Sequence, residues 1–61
     1  MKIIAVDNFN RENISDTLVA ENLNEFYAKH IVELLNKSVS EDSEKYYQAV
    51  DDNHQLYKFV P

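Results

Sequence analysis

The chain has 61 residues, six basic and eleven acidic side chains and a formal net charge of −5, and 44% of its residues are hydrophobic. That apolar share is too high for a chain disordered by composition, and the length allows one small domain, residues 1–61, which buries only about 60% of its unfolded surface. With no cysteine and no glycine, the composition excludes a disulfide framework, a thiolate zinc site, a phosphate-cradling loop, a dinucleotide fingerprint, the standard calcium loop and a serine nucleophile elbow.

Residues 2–9, Lys-Ile-Ile-Ala-Val-Asp-Asn-Phe, read as a strand: the apolar run is short and β-branched, and Asn8, Asn10 and Asn13 supply turn chemistry after it. Alternation puts Ile4 and Val6 on one face and Ile3 and Ala5 on the other, so this strand expects cover on both sides. The same run is too short for a signal peptide, and no segment approaches the roughly 20 apolar residues that span a bilayer. A cytoplasmic protein with no membrane partner is expected.

Residues 14–37 admit two readings: one long helix over 15–37, or a strand followed by a shorter helix. With Phe26 at zero and about 100° per residue, Leu34, Tyr27, Ile31, Leu35, Ala28 and Val32 fall in one arc from about 80° to about 240°. Glu25, Lys29, Glu33 and Lys37 form an alternating ladder opposite, each step an i,i+4 pair. Extending the helix backwards puts Asp16 and Glu21 in the apolar arc and Leu18 and Val19 among the charges. The helix is therefore placed at 24–37, with Asn24 as N-cap and Glu25 in the first turn. Thr17-Leu18-Val19-Ala20-Glu21 becomes a second strand, in a hairpin with residues 2–9 around a loop at Arg11-Glu12-Asn13.

Residues 38–44 are polar and acidic and read as a loop, with Glu41, Asp42 and Glu44 solvated. Tyr46–Val50 and Gln55–Val60 are β-rich runs. Asp51-Asp52-Asn53 between them predicts a hairpin turn with Asn53 left-handed. In that hairpin Tyr47, Ala49, Tyr57 and Phe59 share one face, and Tyr46, Gln48, Val50, Leu56, Lys58 and Val60 the other. The expected fold is α+β (ββαββ): a four-stranded, mostly antiparallel sheet with one helix packed on one face.

Few residues carry a chemical signal. His30 and Glu33, at i,i+3, have the spacing of two metal ligands on a helix turn, but Glu33 belongs to the charge ladder and no third ligand has a defined spacing. His54 and the adjacent Asp51 and Asp52 read as turn residues. Ser15 and Asp16 lack a histidine placed to complete a nucleophilic set. Phe9, Phe26, Tyr27, Tyr46, Tyr47, Tyr57 and Phe59 offer stacking surfaces for single-stranded nucleic acid, yet only Lys45 and Lys58 lie near, in acidic surroundings. No catalysis, metal, cofactor or nucleic-acid partner is expected.

The stretches Val6-Asp7-Asn8-Phe9, Leu18-Val19-Ala20-Glu21-Asn22-Leu23 and Ile31-Val32-Glu33-Leu34-Leu35-Asn36, with the ending from Val50 to Pro61, resemble small proteins carried by phages, prophages and mobile elements. The resemblance implies a strand–strand–helix–strand–strand unit. It implies no activity and carries over no site residues.

The functional expectation is a non-enzymatic protein-interaction module. The alternative is an acidic inhibitor that imitates nucleic acid, for which residues 38–54 carry five acids against one base. Because one helix covers only one sheet face, the other predicts self-association into a homodimer through Tyr46, Val50, Leu56 and Val60. Phe26, which the wheel places among His30, Glu33 and Lys37, is a further contact candidate.

Overall fold

The computed structural model describes residues 1–40 and 42–61; Glu41, assigned above to the acidic loop, lies outside the described residues. In chain order the elements are β1 (Lys2–Asp7), β2 (Thr17–Ala20), α1 (Glu25–Lys37) and β3 (Lys45–Val50). They form an α+β fold with a three-stranded sheet in the order β2-β1-β3, in which β1 pairs antiparallel with both neighbours.

The doubly apolar strand takes the centre. Register places Lys2, Ile4 and Val6 with Leu18, Tyr46, Gln48 and Val50 on one face, and Ile3, Ala5 and Asp7 with Thr17, Lys45, Tyr47 and Ala49 on the other. Ile3 is 0% exposed and Ile4 1%, so a residue from each face is sealed. Between Ile3 and Ile4 the β2 ladder slips, opposing Ala20 and Leu18 and leaving Val19 as an extra residue. In a chain without glycine, Asn10 (φ 55°) and Asn22 (φ 63°) take the left-handed positions, which asparagine tolerates better than most residues.

α1 starts where capping chemistry places it: Asn24 is extended, and its Oδ1 accepts the Tyr27 N–H at 2.8 Å. It ends at Ser38, whose N–H and hydroxyl both donate to the Leu35 carbonyl. The buried face differs from the apolar arc of the sequence. Ala28 is buried and Ile31, Val32, Leu35 and Asn36 are half-buried, whereas Tyr27 and Leu34 are exposed. On the same wheel the inward arc runs from about 140° to about 280°, a turn of roughly 50° from the hydrophobic pattern. The cause is Asn36. Its amide donates to the Tyr47 carbonyl at 2.9 Å and its oxygen accepts the Tyr47 N–H at 2.8 Å, pairing the backbone of the edge strand. Rolling α1 to make these bonds draws a polar residue in and turns two apolar ones out.

The expected fourth strand is absent from the sheet among the described residues, and residues 55–60 do not pair with β3. The turn before them forms, with the His54 N–H donating to the Asp51 carbonyl and the Asn53 N–H to the Asp51 carboxylate. However, Asn53 is not left-handed, and the chain does not fold back as a hairpin. It crosses instead towards the start of β2. Lys2 Nζ donates to the His54 carbonyl, the Asp16 N–H to the Tyr57 carbonyl, the Tyr57 N–H to Asp16 Oδ2 and the Phe59 N–H to Ser15 Oγ. Lys2 and, by alternation, Asp16 belong to the face of Ile4, so this segment runs over that face. The sealing of Ile3 then requires α1 on the other.

Candidate interaction surface

Two places on the molecule bring chemistry-bearing side chains together. The first is the strip that the roll of α1 turns outward. Phe26 is 72% exposed, Tyr27 56% and Leu34 55%. His30, also exposed, lies between them on the wheel and completes the strip. The Phe26 ring meets Tyr27 edge-on at 5.4 Å between centroids and lies parallel to the His30 ring at 6.2 Å. These ring contacts hold the strip in a defined shape. Along one border run two ion pairs, Lys29–Glu25 at 2.8 Å and Lys37–Glu33 at 3.2 Å. The hydrogen bond from Lys29 holds the Glu25 carboxyl below the usual range.

The second is a cavity of about 430 Å³ where the loop after β1, the residues before β2 and the C-terminal segment meet, lined by Val6, Asp7, Asn10, Arg11, Glu12, Ile14, Asp16 and Tyr57. At its side Asp7, only 5% exposed, is held by Arg11 in three ways. The Arg11 N–H donates to Oδ2 at 2.7 Å, Nη2 to Oδ1 at 2.6 Å, and Nε lies 3.1 Å from Oδ1. The guanidinium hydrogen bond outweighs desolvation and lowers the Asp7 pKa. The guanidinium carbon also lies 5.4 Å from the centre of the Phe9 ring. The Tyr57 hydroxyl donates to the Glu12 carbonyl, which fixes the ring at the cavity.

The residues proposed from sequence as contacts lie on α1, β3 and the C-terminal segment. Phe26 lies on the α1 strip. Tyr46 is exposed on β3 and Val60 on the C-terminal segment, but Val50 is buried and Leu56 half-buried. Tyr27 and Leu34 belong to the apolar arc of the sequence but are exposed, and the Asp7–Arg11 pair is not among the sequence-based candidates. Its only sequence signal is an acid closing an apolar strand with an arginine four residues on across a turn. Among the described residues, no group of three or more His, Asp or Glu side chains is placed to hold a metal ion. Among the described residues, no helix is long and apolar enough to cross a membrane. No protein-family model, curated protein or solved structure matches the chain.

Proposed function

We propose that this protein is a non-enzymatic protein-interaction module that meets its partner, another protein or a second copy, through Phe26, Tyr27, His30 and Leu34. The observation that carries this reading is the exposure, by more than half, of three large apolar side chains along one helix strip. Scattered exposed apolar residues are ordinary on any protein. Here the rings touch one another, and aromatic anchors of this kind dominate binding at interfaces. The spacing, i, i+1, i+4 and i+8, suits a helix laid in an apolar groove. The accessible surface, 4648 Å², also exceeds the roughly 4,100 Å² of a compact monomer of this mass.

The residues with catalytic potential have structural duties: His30 stacks on Phe26, Ser15 Oγ receives the Phe59 N–H and Asp16 the Tyr57 N–H. Nucleic-acid imitation has less support, since a mimic needs free carboxylates. Asp7, Glu25 and Glu33 are paired with cations of this chain, and Asp52 lies 3.0 Å from the Met1 amino group. A double substitution, Phe26→Ser with Leu34→Ser, tests the proposal. It should leave the fold intact and abolish partner capture, or dimer mass in sedimentation equilibrium, while Leu18→Ser leaves both unchanged. Equal capture or dimerisation by all three proteins would refute it.

A further inference from the structure

The cavity beside Asp7 carries an inference independent of the α1 strip. Three acidic residues, Asp7, Glu12 and Asp16, line it with one basic residue, Arg11, a formal charge of −2 among the lining residues. Arg11 is committed to Asp7 by its side chain and its backbone, so that pair is internally neutral. The excess belongs to Glu12 and Asp16, and among the described residues neither has an ion-pair partner. Asp16 accepts a single backbone N–H, from Tyr57. Val6 and Ile14 supply apolar wall, and the Tyr57 ring, tied down through its hydroxyl, supplies an aromatic one. The volume, about 430 Å³, falls within the roughly 300–1,000 Å³ of small-ligand pockets.

We propose that this cavity binds a guanidinium group on an aliphatic stem. The planar cation meets carboxylate edges through paired N–H donors and stacks on an aromatic ring, and its weak hydration makes leaving water less costly than for an ammonium. The stem packs on Val6 and Ile14. Two sources share this chemistry: a free alkylguanidine, and an arginine side chain presented by a polypeptide.

Titration of the ¹⁵N-labelled protein with N-acetylarginine methylamide tests the site. Saturable shifts are expected at the amides of Ile14, Asp16 and Tyr57, with a Kd of order 1 mM at low salt. Binding should weaken by at least about threefold at ~0.15 M salt, where the screening length is ~8 Å. Glu12→Gln, whose side-chain carboxylate holds nothing in the fold, should weaken it by about threefold or more with the rest of the spectrum unchanged. Ethylguanidine binding as tightly as the arginine derivative supports the site with a small-molecule source. A further gain of tenfold or more for an arginine-containing peptide supports it with a polypeptide source. The proposal is overturned if no shift saturates, if Glu12→Gln binds equally well, or if N-acetylglutamate methylamide shifts the same amides.

Discussion

β1 and the C-terminal segment 55–60 look alike as sequence and end differently. Both are short, rich in β-forming residues and bounded by turn chemistry. β1 is paired along both edges and covered on both faces. The C-terminal run forms no strand, and only Leu56 of its residues is half-buried. Its N–H groups go partly to side chains, those of Asp16 and Ser15, where a strand would offer carbonyls. β-propensity records how well a side chain fits a pleated, half-buried surface, and the surface must be there to fit. β3 does not offer its free edge to the returning chain, because Asn36 already pairs the Tyr47 backbone on that side.

The largest effects should separate these two regions. A chain of this length has a total stability of roughly 3–9 kcal/mol. Ile3→Ala or Ile4→Ala should each cost about 2–5 kcal/mol in urea unfolding, by lost burial and the cavity left behind. Val60→Ala, at an exposed position of the C-terminal run, should stay within about 0.5 kcal/mol. Equal losses from both regions would show that the C-terminal segment is as much a part of the core as β1.

Asn36→Ala probes the device that keeps the two apart. It deprives the Tyr47 N–H and carbonyl of their partners and should cost about 1–2 kcal/mol. It should also raise the hydrogen-exchange rate of the Tyr47 amide ahead of its neighbours. Unchanged exchange there would remove the explanation given for the roll of α1.

The β1 end of the comparison has a pH signature. The folded-state pKa of Asp7 lies below its ordinary value of 3.8 because of the Arg11 hydrogen bonds. The ionised carboxylate therefore stabilises the fold, fully so above the ordinary value, and this contribution is lost as pH falls through the lowered one. Arg11→Met should flatten that acid limb of the stability profile. An acid limb identical in the variant would dissociate Asp7 from acid unfolding.

A local effect is expected at the latch of the C-terminal segment. Ser15→Ala removes the acceptor of the Phe59 N–H and should cost about 0.5–1.5 kcal/mol at most, read locally as faster exchange of the Phe59 amide. Protection at Phe59 equal to that of the wild type would mean that other contacts hold the segment down.

The local elements were legible in the order of residues because their causes are local. Alternation and β-branching mark β1, and its apolar residues on both faces foretold a strand covered twice. The misfit of Asp16 and Glu21 with the helical pattern separated β2 from α1, and Asn24 followed by Glu25 marked where α1 begins. Three things needed the assembled chain. The destination of residues 55–60 depended on whether an edge remained open to them, which is a property of β3 and Asn36 together. The face that α1 buries depended on two hydrogen bonds to a backbone eleven residues further on, outweighing about 50° of hydrophobic preference. That same roll turned Tyr27 and Leu34 from expected core into the proposed contact strip. Last, the Asp7–Arg11 pair became visible only when a loop with a left-handed Asn10 brought the guanidinium back over a buried acid. Hydrophobic periodicity reports which residues leave water. It carries no information about which polar groups must find partners once they have left, and in so small a core those pairings set the final geometry.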